Sequence, residues 1–366
     1  FVVLDYVTGI MCAVLDKQLS SAVGFRGIFK KVLIFLMVGI AHILDEQIIG
    51  TGSALRTAVI FFYLSNEGIS FLENAARIGL PIPEKIKTVA LVAPACPAHS
   101  SEALDRAIAG LKQAGVRVKL MPHTREGEPA RYETIAVEKR VADLEQAWLD
   151  PEVDLVWCIR GGIGTPDVVE KLNWDKLRSR PDLPVLGFSD ITALQLAMLK
   201  EHAGHPYAAP STLGLLTVDY LSLENFRRTM HGRPAEPLQL VPVRGGAASG
   251  LALAGHLRLL ETMSRTRFRP DTAGKVIFIE SPDFFPEQVC ASLGRLRKEG
   301  FFDGCAAVVF GTLSRCGDEA ETVIRKFAAT VSCPVFMGFP YGHTSRNQVI
   351  DLRGRVTIDS RGLLCR

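Results

Sequence analysis

The sequence predicts an α/β fold with a segment of apolar helices at its N-terminal end. Three observations lead to this prediction. Long apolar runs are concentrated in residues 1–80, short apolar strands alternate with charged, helix-like stretches from Lys87 onward, and a polar stretch rich in proline and glycine divides that second part. Because strands that alternate with helices form a parallel sheet covered on both faces, we expect a doubly wound domain over residues 87–215 and a smaller α/β domain over residues 250–366.

The composition is that of a folded protein with two or three domains. The chain has 366 residues, of which 48% are hydrophobic and 22% charged, and these values exclude a disordered chain, a collagen and a small disulfide scaffold. The net charge of +3 is close to neutral for this length, so no nucleic-acid partner is predicted. The mean hydropathy of +0.19 is on the apolar side for a soluble enzyme.

Residues 1–86 contain three apolar segments, at roughly Phe1–Leu15, Val32–Ile49 and Leu55–Leu72. None offers the roughly 18 uncharged residues of an unambiguous membrane span, so a buried helical hairpin and membrane helices both remain open on hydropathy. Basic residues flank the last two segments; they are Lys17, Arg26, Lys30, Lys31, Arg77, Lys85 and Lys87. Under the positive-inside rule both basic loops are cytoplasmic, which predicts transmembrane helices with the C-terminal part of the chain facing the cytoplasm. The chain starts at Phe1 inside an apolar run, and we expect its N-terminus to be incomplete.

Several unusual short sequence motifs fall within this segment. They are Leu4–Gly9, Gly24–Ile28, Ala54–Tyr63, Asn66–Gly68, Glu73–Ala76 and Pro81–Pro83. Over residues 3–87 they resemble the phage-type holin family linked to lysis and toxin secretion. The resemblance implies a small membrane protein that oligomerises into lesions, and the first membrane segment expected of that family is missing.

Residues 87–215 carry the pattern of the doubly wound domain. The predicted strands are Thr88–Ala93, Val116–Leu120, Asp154–Ile159 and Pro184–Phe188, and the predicted helices are Ser101–Ala114, Arg131–Leu149 and Ile191–Glu201. Ser100 or Ser101 is the expected N-cap of the first of these helices.

Residues 216–249 are polar and rich in proline and glycine, which predicts a linker. The second domain, residues 250–366, has predicted strands at Lys275–Ile279 and Ala306–Phe310, a helix at Pro286–Glu299 and a Gly/Pro-rich loop at Gly338–His343.

The eight cysteines are predicted to be reduced and structural. They lie far apart, with no CxxC pair and no Cys/His spacing typical of zinc; they are Cys12, Cys96, Cys158, Cys290, Cys305, Cys316, Cys333 and Cys365. Several fall in apolar, strand-like runs, where a thiol behaves as a small hydrophobe. This usage favours a reducing compartment, and no metal site is predicted.

Ser189 lies directly between a predicted strand and a predicted helix, in the run Gly187–Leu194. A sharp strand-to-helix turn exposes the hydroxyl, and a helix N-terminus can stabilise a developing anion. Ile191 stands where a G-x-S-x-G elbow has its second glycine. The structural alternative is that Ser189 or Asp190 simply caps the helix.

A glycine-rich loop, Arg160-Gly161-Gly162-Ile163-Gly164, follows another predicted strand. Bare glycine backbone can approach a ligand closely and donate N–H groups to an oxyanion or carboxylate. Tight turns also use glycines, and neither a Walker lysine nor a G-x-G-x-x-G spacing is present.

Glu280 ends a predicted buried strand, and His343 lies in the Gly/Pro-rich loop near the C-terminus. An acid in this position can orient an imidazole, which in turn can deprotonate a serine. Taken singly, such a Glu and such a His are more often a cap and a hydrogen-bonded loop residue.

Taken together, these words resemble the serine L,D-carboxypeptidase family, which includes the muropeptide-recycling enzymes and the microcin-immunity peptidases. The resemblance covers residues 87–366; the matching words are Val89–Pro94, Arg160–Gly162 with Gly164, Gly187–Leu194, the strand that ends at Glu280, Val308–Gly311 and Gly338–His343. It implies a Rossmann-like N-terminal half that bears the nucleophile and a smaller C-terminal half that bears Glu and His.

The resemblance also implies a site. Ser189 would be the nucleophile, His343 the general base and acid, and Glu280 the group that holds the tautomer of His343. The backbone N–H groups of Gly162 and Asp190 would form the oxyanion hole. Arg160 and Gly161 would bind substrate, and no metal or other cofactor would take part.

The chain departs from the family pattern near the expected substrate. Ala254-Gly255-His256 replaces a usual Gly-Gly-Asn, and Ala208-Ala209-Pro210 replaces a frequent His-Gly-Pro. Ile163 replaces a common tyrosine, and Ser281 replaces a frequent aspartate. Reaction type is therefore predicted more firmly than substrate.

The leading hypothesis is a carboxypeptidase that removes the terminal D-alanine from peptidoglycan-derived tetrapeptides in cell-wall recycling. One alternative is a peptidase that detoxifies a peptide–nucleotide antibiotic, and another is a holin-like lesion-former that carries the hydrolase as a passenger. The expected location is the bacterial cytoplasmic membrane with the catalytic domains in the cytoplasm, or the cytoplasm itself if the N-terminal segment is not part of the mature protein. The predicted partners are the muropeptide, the membrane and, as an option, a second copy in a homodimer; a recent gene fusion near Lys85–Thr88 also remains open.

Overall fold

The computed structural model describes residues 31–34, 36–40, 42–43, 45, 59, 86–126 and 135–366. The chain divides into two compact units, residues 1–80 with 109–115 and residues 81–108 with 116–366. In the first unit, residues 31–34 and 36–40 are helical.

The first sheet has six strands in the order β12-β5-β4-β3-β1-β2. Its strands are β1 (Thr88–Val92), β2 (Arg117–Leu120), β3 (Leu155–Cys158), β4 (Pro184–Gly187), β5 (His205–Ala208) and β12 (Ile350–Asp351). The first five pair in parallel, and β12 pairs antiparallel with β5. Every residue of β1 is buried, as expected for the middle of a parallel sheet. The predicted doubly wound α/β arrangement is confirmed for this part.

Helices follow the strands of this sheet. They are α1 (Ser101–Gln113), α2 (Val137–Leu149), α3 (Thr165–Lys171), α4 (Trp174–Leu177) and α5 (Thr192–Glu201). The side chain of Ser100 accepts a hydrogen bond from the N–H of Ala103, so Ser100 caps α1. The predicted helix Arg131–Leu149 begins only at Val137, and residues 127–134 lie outside the described part. Seven of the ten residues of α5 are buried, because α5 also contacts the second half of the chain.

The second sheet has eight strands in the order β6-β14-β13-β8-β9-β10-β11-β7. They are β6 (Leu238–Gln239), β7 (Val241–Arg244), β8 (Ala248–His256), β9 (Val276–Ser281), β10 (Ala307–Leu313), β11 (Val335–Met337), β13 (Arg355–Ile358) and β14 (Leu363–Cys365). The central strands β8 to β11 are parallel, and the outer pairs are antiparallel. The helices on this half are α6 (Tyr220–Met230), α7 (Leu257–Met263), α8 (Pro286–Lys298) and α9 (Ala320–Ala328).

The stretch predicted to be a linker, residues 216–249, contains regular structure. It holds α6, β6 and β7. Asp219 accepts a hydrogen bond from the N–H of Ser222 and caps α6. In the sequence, a polar capping residue of this kind can also be interpreted as part of a loop. Pro242 is accommodated because β7 is an edge strand of its sheet. Pro242 therefore marks a sheet edge and not a linker. The domain boundaries remain a prediction.

Within the described residues, no helix combines the length and apolar character needed to cross a bilayer. Most of the segment 1–86, to which the transmembrane prediction applies, lies outside those residues. The seven described cysteines are free; five of them are buried, and Cys290 and Cys365 are exposed. Their reduced state remains a prediction. Cys12 lies outside the described part.

Candidate active site

Ser189 is located where β4 turns into α5. Residues Ser189–Ile191 form a 3-10 turn, and Ser189 has a φ of +67°. A side chain seldom adopts this left-handed conformation, and such strain is typical of functional turns. A Cβ at Gly187 would lie 2.4 Å from Ile191, so the turn closes on Gly187 and needs no glycine at position 191.

The structure brings Ser189, His343 and Glu280 together, although they are far apart in the chain. The Nε2 atom of His343 lies 2.9 Å from the Oγ of Ser189, and its Nδ1 atom lies 3.0 Å from the Oε2 of Glu280. Glu280, at the end of β9, is fully buried, whereas the side chain of His343 is 34% exposed. The site thus runs from a buried acid to an accessible hydroxyl.

The partners of His343 define its tautomer. A carboxylate can only accept, so Nδ1 carries the hydrogen and donates to Glu280, and Nε2 is left to accept from the hydroxyl of Ser189. The His343 ring packs against Phe188, with the ring centroids 4.7 Å apart. These contacts fix the imidazole in the orientation that a base for Ser189 requires.

The glycine-rich loop lies against Ser189 on one side and Cys96 on the other. A Cβ at Gly161 would come within 2.7 Å of the Cβ of Ser189, and a Cβ at Gly162 would come within 2.3 Å of the Sγ of Cys96. Gly162 also has a φ of +136°. Only glycine fits in this position, so backbone rather than side chain is presented beside the serine hydroxyl.

Asp190 does not cap the helix that follows it. No side-chain cap bond is formed by Ser189, Asp190 or Ile191 at the start of α5. Instead, the Oδ2 of Asp190 accepts from the N–H of Thr165, the first residue of α3, at 2.8 Å. Burial raises the pKa of Asp190, and the hydrogen bond from Thr165 opposes that rise. The capping alternative for this turn is therefore wrong.

Arg160 and the residues that depart from the family pattern differ in exposure and in hydrogen bonding. A guanidinium nitrogen of Arg160 lies 3.3 Å from the carbonyl of Pro97, and Ile163 is 52% exposed. Ser281 is buried, and its hydroxyl has no hydrogen-bond partner among the described residues. Pro210 accepts a hydrogen bond from the indole of Trp157.

His256 is a part of the site whose contacts the sequence did not reveal. In the register of β8 and β9 it lies directly beside Glu280. Its Nδ1 accepts from the N–H of Arg258, and its Nε2 lies 3.5 Å from the Oδ1 of Asp283. Burial lowers the pKa of His256, whereas Glu280 and Asp283 oppose that change. The only signal in the sequence was the departure from the family pattern at this position.

No group of three or more His, Cys, Asp or Glu side chains in the described part of the chain is arranged to hold a metal ion.

The matches to known proteins concern two parts of the chain. The family model described as the LD-carboxypeptidase N-terminal domain matches residues 89–207, and the LD-carboxypeptidase C-terminal domain model matches residues 249–358. A probable murein peptide carboxypeptidase of Bacillus subtilis (strain 168) is 27% identical over 290 residues, which are 75% of this chain and 89% of the relative. Separately, the bacteriophage holin family model matches residues 1–92.

Solved structures share the fold. A muramoyltetrapeptide carboxypeptidase from Oxalobacter formigenes is 24% identical with a TM-score of 0.66, covering 76% of this chain and 97% of that one. An MccF-like protein from Bacillus anthracis str. Ames is 20% identical with a TM-score of 0.69, covering 78% of this chain and 97% of that one.

Proposed function

We propose, because this chain belongs to the LD-carboxypeptidase family, that it removes the terminal D-alanine from peptidoglycan-derived tetrapeptides by serine catalysis. The observation that carries the mechanism is the hydrogen-bonded series from Glu280 through His343 to Ser189. The name of the Bacillus subtilis relative supports a murein peptide as the substrate class.

In the proposed mechanism His343 takes the hydroxyl proton as Ser189 attacks the carbonyl carbon before D-alanine. The N–H groups of Gly162 and Asp190 bind the oxyanion, and donors of this kind are each worth about 100- to 1,000-fold in kcat. His343 then gives its proton to the amine of the departing D-alanine. Water, activated by the same imidazole, hydrolyses the acyl-enzyme, while Glu280 stabilises the imidazolium in both steps.

The test is release of D-alanine from a murein tetrapeptide by the full chain, followed by chromatography and mass spectrometry. Ser189→Ala should remove the activity, and Ser179→Ala, at an exposed serine outside the site, should retain it. Folded wild-type protein that releases no D-alanine would overturn the substrate, and an active Ser189→Ala variant would overturn the mechanism.

A second substrate class is an amide in a peptide–nucleotide antibiotic. It is favoured by an exposed aromatic residue, Phe285, which is 50% exposed and lies two residues after Asp283. The Arg315 guanidinium lies 5.4 Å from its ring centroid, so ring and cation together could stack a base. Competition between a tetrapeptide and a peptidyl sulfamoyl nucleoside tests which substrate class the enzyme prefers. A Phe285→Ala variant that loses affinity only for the nucleoside would favour the peptide–nucleotide class.

We also propose that the N-terminal segment places the enzyme at the inner face of the cytoplasmic membrane. The holin family match over residues 1–92 supports this location. So does the described helical stretch of the segment, in which apolar side chains are at least half exposed: Val32, Leu33, Leu36, Ile40 and Ile43. Such side chains suit a lipid or helix-packing environment better than water.

A further inference from the structure

A buried arginine lies behind the glycine-rich loop. Arg140, on α2, is 4% exposed and forms no ion pair with the described carboxylates. Its Nε donates to the carbonyl of Ile135 at 2.8 Å, and its Nη1 donates to the carbonyls of Pro94 at 2.8 Å and Gly164 at 2.9 Å. A buried cation whose hydrogen bonds all go to backbone carbonyls holds those segments in fixed positions.

The three segments that Arg140 joins include both loops beside Ser189. Pro94 begins the loop that carries Cys96, and Gly164 ends the glycine-rich loop. Gly162 is in such close contact with Cys96 that no Cβ would fit. Arg140 therefore joins the two loops that pack against each other at Gly162.

Asp190 also holds the end of the same loop. Its carboxylate accepts from the N–H of Thr165, the residue after Gly164. Arg140 thus binds the carbonyl of Gly164, the last residue of the loop. The carboxylate of Asp190 binds the N–H of Thr165, the residue that follows. Burial lowers the pKa of Arg140, and Asp167 and Asp190 oppose this change.

We propose that Arg140 is a positioning residue that keeps the N–H of Gly162 directed at the oxyanion that forms on the carbonyl attacked by Ser189. This inference rests on the proposed serine mechanism. Its positive charge also favours the negative charge that develops in the transition state.

The chain contains a matched control. Arg180 also donates to three backbone carbonyls, those of Trp148, Asp150 and Val153. These carbonyls precede β3, at the opposite edge of the sheet from Ser189. Arg180→Gln and Arg140→Gln therefore remove similar hydrogen bonds, but only the second touches the loops of the site.

The experiment uses the full chain and two probes. A fluorophosphonate labels an active serine and places its phosphoryl oxygen in the oxyanion position, independently of the peptide substrate. We expect Arg140→Gln to slow both Ser189 labelling and kcat by about 10- to 100-fold, less than the loss of a whole oxyanion donor, with KM changed less than about threefold. Arg140→Lys should recover part of the rate, and Arg180→Gln should lower Tm while its labelling rate stays within about threefold of wild type.

The labelling rates and D-alanine release test the positioning role separately from the substrate. Normal labelling in Arg140→Gln, or an equal loss in Arg180→Gln, would overturn the positioning role. If wild-type protein is labelled at Ser189 but releases no D-alanine, the substrate proposal fails and the labelling rates still decide the role of Arg140. If wild-type protein is not labelled at Ser189, the serine mechanism fails and the positioning role fails with it.

Two buried cysteines lie next to each other in the second half of the chain. Cys305 and Cys333 are free and buried, with their sulfur atoms 3.3 Å apart. They precede the neighbouring strands β10 and β11, in which Val308 is paired with Val335. A disulfide needs the sulfur atoms at about 2.05 Å, so they have to move roughly 1.2 Å closer.

We infer that Cys305 and Cys333 form a disulfide on oxidation. The Cys305 thiol donates a hydrogen bond to Cys333 and, with Arg244 nearby, lowers the pKa of Cys333. The Cys333 thiolate attacks hydrogen peroxide and forms a sulfenic acid with release of hydroxide. The sulfur of Cys305 then displaces the sulfenic oxygen, so two thiols and one peroxide yield one disulfide and two waters.

Peroxide treatment of the full chain, followed by non-reducing peptide mapping, tests this inference. We expect a Cys305–Cys333 peptide lighter by two hydrogens, lost in Cys333→Ser and retained in Cys290→Ser, which alters an exposed cysteine. Recovery of both thiols unpaired, while Cys290 and Cys365 are oxidised, would overturn it.

Discussion

The backbone at Ser189 has a strained conformation of the kind found in functional turns, which supports the proposed role of this residue as the nucleophile. Its φ of +67° costs an L-residue about 1–2 kcal/mol. The surrounding contacts maintain it: Gly187 leaves room for Ile191, and His343 binds the hydroxyl. The position of the Ser189 hydroxyl thus depends on the backbone conformation of this one residue.

Replacing Ser189 separates strain from activity. We expect Ser189→Ala and Ser189→Gly both to be inactive, and the glycine variant to unfold with a free energy about 1 kcal/mol higher than the alanine variant, because glycine tolerates positive φ. Urea unfolding of the two variants measures the difference. Equal stabilities would show that the turn is not strained.

Glu280 should matter for the tautomer of His343 more than for folding. Glu280→Gln can donate its amide to Nδ1 and favour the tautomer that cannot accept from Ser189, so we expect kcat to fall about 1,000- to 10,000-fold, as in other serine triads. Steady-state kinetics measure this loss. Glu261→Gln is the control, since Glu261 is a buried carboxylate that binds Arg295 away from the site; a similar kcat loss there would contradict the assignment.

His256 should make stability depend on pH. Burial lowers its folded-state pKa below the ordinary 6.5, so the unfolded chain takes up the proton first as pH falls. The free energy of unfolding therefore decreases below about pH 6.5 until the folded protein is also protonated, and above that pH the contribution vanishes. The groups that act on His256 are Glu280, Asp283, His343 and Arg258.

Urea unfolding of wild type and His256→Asn at several pH values measures this term. Asn can still accept from the N–H of Arg258 but does not titrate. We expect the variant to gain stability relative to wild type as pH falls from 7 to 5. A constant difference over that range would contradict the prediction.

At the scale of elements, the site depends on where strands and loops end. The carboxyl ends of β4 and β9 carry Ser189 and Glu280, and the register of β8 against β9 sets His256 beside Glu280. The glycine-rich loop follows the carboxyl end of β3, so it lies at the same end of the first sheet as Ser189. Ligands of open α/β sheets bind at this edge.

The glycine-rich loop supplies an element-scale prediction. Gly162→Ala would place a Cβ 2.3 Å from Cys96 and shift the N–H beside Ser189, so we expect about a 100-fold or larger loss of kcat. Gly274→Ala is the control, because Gly274 also has a positive φ but its Cβ would meet nothing within 4 Å. Kinetics and thermal unfolding of both variants separate site geometry from backbone strain; similar kcat values would contradict the prediction.

At the scale of the whole molecule, both sheets contribute to one site. The first carries Ser189, and the second carries Glu280. The N–H of His256 donates to the hydroxyl of Thr192, which joins β8 to the start of α5. The strand β12, late in the chain, completes one side of the first sheet, so the C-terminal half is needed for the first sheet as well as for the proposed base.

The N-terminal segment provides the whole-molecule prediction. We expect the full chain to sediment with vesicles of anionic and zwitterionic lipid, whereas a version that starts at Lys87 should stay in the supernatant, because the apolar segment and its basic flanks are removed. Both should have the same kcat/KM for the tetrapeptide. Equal sedimentation would contradict the membrane location, and vesicle leakage that persists in Ser189→Ala would favour the lesion-former.

The sequence by itself determined the alternation of strands and helices in residues 87–215, and its resemblance to the serine L,D-carboxypeptidase family singled out Ser189, Glu280 and His343. Strand periodicity and strand-end residues are local properties, readable without neighbours. The edge strands between residues 238 and 244 escaped prediction because their prolines resemble a linker.

Only the tertiary structure decided which groups meet. It turned the side chain of Asp190 toward Thr165 instead of its own helix, placed His256 beside Glu280, and brought Arg140 behind the glycine-rich loop. These contacts join residues that are distant in the chain, and a single sequence contains no signal for them, since they depend on strand register and on which loops share one sheet edge.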